Sequence, residues 1–260
     1  MKLRHENEWY QRIYWQGVQT FENHGFVIFD TFTYDDEHLP RLKDYFEKSL
    51  LFSKEKDSNK WNYFGDFGCF NHEHFAKFMK DLRSALEYDG YDVKDSLKYV
   101  YATEYGTERV YGDRRGAVRK ATLRPHYHLM LFCTDPTLLK TPEVLNEYVG
   151  KLWKYGFHDN GKSSAEFRRN TFKSGMNPTD TKVKLRGLAD YVGKYMHKSS
   201  DYEEVIGSRI KDIAYKVAYP FMKGFTLKTL KADKHRYAVW KEAYNDAYKR
   251  AYKKIATFHG

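Results

Sequence analysis

The segment RPHYHLMLF, residues 124–132, constrains the fold of this chain more than any other segment. It is an apolar run rich in strand-forming residues, and it contains two histidines one residue apart. Because residues i and i+2 of a strand point to the same face, His126 and His128 are predicted to lie side by side. A shared metal ion or phosphate would accommodate two adjacent imidazoles. The alternative is a pair of ordinary sheet histidines bonded to backbone groups.

A second strand is predicted just before the histidines. SLKYVYATEYG (96–106) has strand-forming composition, and the basic, glycine-containing segment 107–121 is predicted to be a loop. The two strands therefore form an antiparallel hairpin, which brings Glu104 closest to the histidines among the carboxylates. A divalent ion needs a third ligand, preferably a hard oxygen, so Glu104 is the predicted ligand. The alternative is an exposed glutamate in a surface ion pair.

The rest of the chain alternates helical patterns with one clear strand. The second His-x-His pair, His72 and His74, opens a predicted helix, where side chains two residues apart diverge, so we interpret it as surface or capping groups. We see no internal repeat and no linker. The predicted elements are a strand over Phe26–Tyr34 and helices over 8–22, from His74, from Pro142, over 185–198 and from Lys234, the last with Trp240, Tyr244, Tyr248 and Tyr252 along one stripe.

The segment GFHDNGKS, residues 156–163, matches the phosphate-loop pattern G-x-x-x-x-G-K-[ST]. A phosphate loop must leave an apolar strand and enter a helix, whereas an amphipathic helix precedes this segment. We therefore interpret Gly156 as a helix C-cap and Asn160-Gly161 as a hairpin turn, and we expect no nucleotide cofactor.

Composition narrows the class of partner. The chain carries 45 Lys and Arg against 35 Asp and Glu, a net charge of +10, together with 18% aromatic residues. Basic residues interleaved with aromatics favour nucleic acid over a membrane, the alternative being a basic surface with no ligand. Two cysteines in no metal-binding spacing predict no disulfide framework, and MKLRHENEWY has no apolar signal region. We therefore expect an intracellular protein with no membrane partner.

Two tyrosines follow the histidines in LRGLADYVGKYMHK, residues 185–198. Tyr191 and Tyr195 are four residues apart and therefore neighbours on one helix face. An adjacent ammonium, here that of Lys194, lowers the cost of forming the phenolate that acts as a nucleophile. Tyr-x-x-x-Tyr spacing occurs six times in the chain, so a core stripe is the alternative. The closest competing pair is Tyr248 and Tyr252.

These motifs, in this order, resemble those of the HUH endonucleases, specifically the replication initiators of small single-stranded-DNA microviruses. FDTFTYDDEHLP (29–40) resembles their first motif, and YVGKYMHK (191–198) resembles their two-tyrosine motif. EYG (104–106) and RPHYHLMLF resemble the carboxylate strand and the histidine motif. The resemblance spans residues 8–198. The family's cysteine cluster near the N-terminus is absent, and residues 201–260 match nothing in it.

The resemblance implies an α+β HUH endonuclease fold, with a central antiparallel sheet of about five strands flanked by helices. Residues 1–200 would form this domain, with residues 201–260 as a helical extension packed on it. It implies that His126, His128 and Glu104 hold Mg²⁺ or Mn²⁺ against the scissile phosphate of single-stranded DNA. Tyr191 or Tyr195 would attack the phosphorus, release a 3′-hydroxyl and keep the 5′-phosphate as a tyrosine ester, which rejoining can use without ATP.

The resemblance also implies a setting: a phage replication origin as substrate, a host helicase or polymerase as further partner, and the host bacterial cytoplasm as location. Two alternatives stay open. A single-tyrosine HUH transposase has the same motif order, and a non-catalytic single-stranded-DNA-binding protein has the same basic and aromatic composition. The basic residues expected to contact DNA are Arg114, Arg115, Lys120, Arg124 and Lys198.

Overall fold

A computed structural model describes residues 2–54, 60–91, 93–106, 109–110, 118–119, 123–134, 142–159, 171–173, 178–195 and 201–255. Their helices are α1 (Lys2–Glu22), α2 (His72–Tyr88), α3 (Pro142–Leu152), α4 (Pro178–Tyr195), α5 (Asp201–Ala218), α6 (Leu227–Ala232) and α7 (Lys234–Ile255). Their strands are β1 (Phe26–Tyr34), β2 (Phe52–Lys54), β3 (Trp61–Tyr63), β4 (Leu97–Tyr105), β5 (Arg109–Val110), β6 (Val118–Arg119), β7 (Pro125–Cys133), β8 (Gly156–Asp159) and β9 (Thr171–Lys173).

The central sheet is antiparallel and has five strands. Its order is β4–β7–β1–β8, and β9 pairs with β1 beside β8. The predicted hairpin of β4 and β7 is present, with Glu104 opposite His126 and Ala102 opposite His128. The expected α+β architecture, with a sheet of about five antiparallel strands flanked by helices, is therefore confirmed.

One face of this sheet carries both histidines, and we call it the histidine face. Cross-strand partners share a face, so the register defines its members. Helices α1 and α4 cover it, and Ile13 of α1 packs with Ala189 and Val192 of α4 against it. The histidine face comprises Val27, Phe29, Thr31 and Thr33 of β1, Lys98, Val100, Ala102 and Glu104 of β4, and His126, His128, Met130 and Phe132 of β7.

The opposite face carries the larger hydrophobic core. Phe32, Tyr127 and Leu129 of the sheet are fully buried there against α2 and α3. Helix α5 inserts Ile206, Ile210 and Ile213 into this same core, and α7 adds Ala251. The aromatic stripe predicted on α7 is present, with successive rings stacked 5.4 to 6.3 Å apart from Trp240 through Tyr252. The C-terminal helices therefore contribute to the core of the sheet.

Several element boundaries differ from those predicted. Strand β1 matches the prediction, and α2 begins two residues before it, after Asn71, whose side chain accepts a hydrogen bond from the Glu73 amide. The predicted loop 107–121 contains the short pair β5–β6, and α4 begins at Pro178 instead of residue 185. His72 and His74 are half-buried instead of being surface or capping groups, stacked on Phe70 and Tyr155 respectively.

Gly156 is not a helix C-cap. Helix α3 ends at Leu152, and Gly156 begins β8, paired with Tyr34. Its φ is +147°, and a Cβ there would lie 2.3 Å from the amide nitrogen of Asp35, so the site requires glycine. The first four residues of GFHDNGKS form a strand, which is incompatible with a phosphate loop beginning at Gly156. Asn160 and Gly161 lie outside the described residues.

The described helices include none long and apolar enough to cross a membrane. Cys69 and Cys133 are both buried and free, consistent with the absence of a predicted disulfide framework.

Candidate active site

Two threonines of β1 orient the two histidines of β7. Thr33 Oγ1 lies 2.8 Å from His126 Nδ1, and Thr31 Oγ1 lies 3.1 Å from His128 Nδ1. The register causes this arrangement, because Thr33 is the cross-strand partner of His126 and Thr31 that of His128. When Nδ1–H donates to the threonine hydroxyl, Nε2 keeps the lone pair that a metal ligand needs. Both rings thus present Nε2 on the histidine face.

Glu104 and His128 form a buried pair. His128 Nε2 lies 3.2 Å from Glu104 Oε1, and the two side chains are only 4% and 5% exposed. A carboxylate facing an imidazole lone pair is repulsive, so either a proton or a cation must lie between these two atoms. The predicted alternative for Glu104, an exposed strand-end ion pair, is wrong, because this carboxylate is buried against a histidine.

The donor set suits Mg²⁺ or Mn²⁺: one hard carboxylate oxygen and two imidazole nitrogens, each imidazole oriented by a hydroxyl. Within the described part of the chain, however, no three His, Cys, Asp or Glu side chains are already gathered as a metal cluster. Glu104 contacts His128, and His126 stands two residues along the same strand. The residues fit the ion chemically, and their arrangement is a carboxylate–imidazole pair with a second imidazole beside it.

Tyr191 lies over this pair. Its ring meets the His128 imidazole edge-on at 5.9 Å between centroids, and it meets Phe29 in the same way at 5.7 Å. The Phe29 ring in turn stacks parallel to His128 at 6.0 Å. Tyr191 is 37% exposed, so solvent reaches a phenol that is packed beside buried site residues. The tertiary structure therefore brings together Glu104, His128 and Tyr191 from three distant parts of the sequence.

The rest of the predicted tyrosine motif is described only in part. Lys194 and Tyr195 lie in α4, which ends at Tyr195, and their side chains fall outside the described residues. Gly193 faces α1, where an added Cβ would lie 3.9 Å from the amide nitrogen of Tyr10. The competing pair, Tyr248 and Tyr252, packs on the core of the opposite face, so the sheet separates it from the histidines.

Arg124 is a predicted DNA contact that the structure places in an ion pair. Its guanidinium donates to the Tyr34 carbonyl at 2.9 Å and to the carboxylate of Asp36, which joins the start of β7 to the end of β1. Its charge is thus already balanced by an exposed aspartate. The other four predicted DNA contacts, Arg114, Arg115, Lys120 and Lys198, lie outside the described residues.

Sequence reasoning missed Thr31 and Thr33, although the alternating T-F-T of the first motif points them to one face. It also missed a buried pair on the opposite face, where His158 Nδ1–H donates to Asp30 Oδ2 at 3.2 Å. Burial raises the pKa of Asp30, and the hydrogen bond to Asp30 raises the pKa of His158. The Asp30 carboxylate also accepts a hydrogen bond from the Thr31 amide, directly behind the histidine face.

The comparison with protein families covers the same part of the chain. A family model described as replication-associated protein, of the ORF2 and gene 2 protein type, matches residues 27–200, more than half of the 260 residues. The chain belongs to this family. The matched range of this replication-associated protein contains every described residue of the candidate site, and it ends before α5. Neither the curated proteins nor the solved structures gave a significant match.

Proposed function

We propose that this replication-associated protein is a rolling-circle initiator that nicks and rejoins single-stranded DNA through a 5′-phosphotyrosine intermediate. The observation that carries the proposal is the position of Tyr191 against His128, which itself pairs with the buried Glu104. A tyrosine that served only packing would not need a hard-oxygen and imidazole donor set beneath it. Family membership supports a role in replication, and the site supports phosphoryl transfer as the reaction.

The nucleophile in this proposal is the phenol oxygen of Tyr191 or Tyr195. It forms a bond to phosphorus as the bond from phosphorus to the 3′-oxygen breaks; the phenol gives up its proton, and the leaving 3′-oxygen takes one. Lys194, three residues after Tyr191, supplies positive charge for the phenolate. Thr31 and Thr33 fix the imidazole orientations, which keeps the donors in place during the reaction.

A bound Mg²⁺ or Mn²⁺, held by Glu104, His126 and His128, would polarise a non-bridging phosphate oxygen and offset the developing negative charge. The ester retains the energy of the broken bond, so attack by a 3′-hydroxyl reseals the strand without a nucleotide cofactor. Tyr195 follows Tyr191 by four residues, about 6 Å along the helix axis. Both tyrosines therefore lie on one side of α4, where the second can cleave after one round and permit release of a circle.

The partners follow from the products. The freed 3′-hydroxyl is the group that a DNA polymerase extends, so a host polymerase or helicase takes over at the nick. A phage origin in a bacterial cytoplasm, as the microvirus resemblance implies, is the proposed setting.

The experiment that tests the reaction needs no known origin. The full chain is incubated with Mn²⁺ and a pool of single-stranded oligonucleotides carrying a random insert, and DNA that remains attached after denaturation is sequenced. Mass spectrometry of the digested protein then locates the nucleotide. We expect a recurrent cleavage sequence and a nucleotide on the peptide containing Tyr191 or Tyr195. DNA binding without any denaturant-stable adduct would favour the non-catalytic binder, and an adduct on one tyrosine serving every step would favour the single-tyrosine transposase.

A further inference from the structure

A cleft of about 560 Å³ lies between α1 and the edge strand β4. Trp9 and Arg12 line it from α1, and Lys98, Tyr99 and Val100 line it from β4. Lys98 and Val100 belong to the histidine face, so the cleft opens on the same side of the sheet as the candidate active site. Nothing in the proposed chemistry uses it.

The lining of the cleft combines cations with aromatic rings. The Arg12 guanidinium lies 5.4 Å from the centroid of the Trp9 ring, and that of Arg83 lies 5.9 Å from the Tyr99 ring. Lys98 is exposed, and Tyr99 is 41% exposed. No acidic side chain is among the described residues that line the cleft. Its ligand is therefore an anion with flat apolar groups, which is the chemistry of a single-stranded nucleic acid.

The cleft is continuous with the candidate active site along β4. Val100 lines the cleft, and Glu104 stands four residues further on the same face of the same strand. At about 3.3 Å per residue this is about 13 Å, the length of about four stacked nucleotides at about 3.4 Å each. A strand whose phosphate lies at Glu104 and His128 can thus reach the cleft within a few nucleotides.

We propose that this cleft binds the single-stranded DNA that flanks the nick site, with bases stacked on Tyr99 and Trp9 and phosphates paired with Arg12, Arg83 and Lys98. The proposal rests on the proposed function for the identity of the strand, but the binding it describes requires neither metal nor cleavage. Stacking is sequence-tolerant, because every base has a π face. The cleft therefore adds affinity and register and leaves choice of sequence to contacts nearer the scissile phosphate.

The test measures binding of fluorescein-labelled dT20 by anisotropy, in EDTA and over a range of salt concentrations. Arg12→Glu/Lys98→Glu should weaken binding at least about tenfold. It should also reduce the slope of log affinity against log salt by about 1.4, since each single-strand phosphate contact contributes about 0.7. The matched control is Lys80→Glu/Lys228→Glu, which removes the same charge at exposed lysines outside the cleft. This control should keep the wild-type slope.

Stacking is tested separately at Tyr99. Tyr99→Ala should weaken binding of dT20 at least about fivefold, while Tyr99→Phe, which keeps the ring, should bind like wild type. Circular dichroism checks that each variant is folded. Equal affinities and slopes for the cleft and control variants, or no binding of dT20 by the wild type, would overturn the cleft. If the cleft variants lose binding while the random-pool experiment yields no adduct, the nicking proposal alone is wrong.

Discussion

The ring of Tyr191 meets the imidazole of His128 edge-on, with 5.9 Å between their centroids. The two residues come from helix α4 and strand β7, and the contact lies directly over the ion-pair partner of His128, Glu104. Because the phenol is partly exposed and the imidazole is buried, the chemistry of this contact can be tested without removing a large part of the core.

Tyr191→Phe keeps the ring and its packing and removes the nucleophilic oxygen. If Tyr191 and Tyr195 alternate, this variant should still form some adduct but fail to release circles, and Tyr191→Phe/Tyr195→Phe should form none. Denaturing gels of radiolabelled circular substrate containing the selected cleavage sequence give both readouts. The control is Tyr248→Phe, across the sheet, which should behave like wild type. A double variant that nicks normally would assign both tyrosines to packing.

Removing the donors should remove cleavage but not DNA binding. His126→Ala, His128→Ala and Glu104→Gln should each lower Mn²⁺-dependent nicking, the histidine variants to background, while affinity for dT20 stays within about twofold, since phosphate contacts come from Lys and Arg. Titration of nicking against Mn²⁺ should show a raised metal requirement for Glu104→Gln. Full cleavage by His126→Ala/His128→Ala would contradict the assigned site, and a wild-type metal titration for Glu104→Ala would assign the ion to another carboxylate.

The threonines that orient the imidazoles should matter although they touch no substrate. Thr31→Val/Thr33→Val keeps the shape of both side chains and removes both hydrogen bonds to Nδ1. We expect metal affinity or nicking to fall about 10- to 100-fold, with thermal unfolding little changed. Thr103→Val is the matched control, because the Thr103 hydroxyl is buried with no hydrogen-bond partner among the described residues. Equal metal titrations for the two variants would remove the positioning role.

The Asp30–His158 pair should make stability depend on pH. Both pKa values are raised, so both groups bind protons more tightly in the folded protein. The His158 contribution is fully present below its unfolded pKa of about 6.5 and is lost as the pH rises through the higher folded value. The stability lost in His158→Gln, measured by urea unfolding, should therefore be larger at about pH 6 than at about pH 8.5. In Asp30→Asn, the imidazole NMR titration of His158 should move to lower pH; an unmoved titration would contradict this cause.

Gly156 should tolerate substitution far less well than a glycine inside a helix. Gly156→Ala should lower the free energy of unfolding by more than about 1 kcal/mol, because φ is +147° and the new methyl would meet the Asp35 backbone. Gly207→Ala, inside α5 with open space around the added methyl, should raise it by about 0.5–1 kcal/mol. Urea unfolding of both variants checks the pair; equal effects would show that Gly156 tolerates a side chain.

Local pattern was sufficient for much of the fold. Alternation in RPHYHLMLF and Phe26–Tyr34 fixes strands and faces, because the side-chain period of a strand is two. The hairpin of β4 and β7 follows from two adjacent strands, and it brings Glu104 beside the histidines. Boundaries that depend on distant partners were not predictable. Gly156 looks like a helix cap in sequence, and only its pairing with Tyr34 makes it the start of a strand.

The sequence by itself determined which residues can share a face of a strand or a helix, because that depends only on the backbone period. The tertiary structure decided which faces meet. It placed Tyr191 over His128 and put the sheet between Tyr248 and the histidines, although both tyrosines have the same helical spacing. It also paired Thr31 and Thr33 with the imidazoles and opened the basic cleft beside β4. These relationships arise from strand order and helix packing, which join residues far apart in the chain and leave no local periodicity to read.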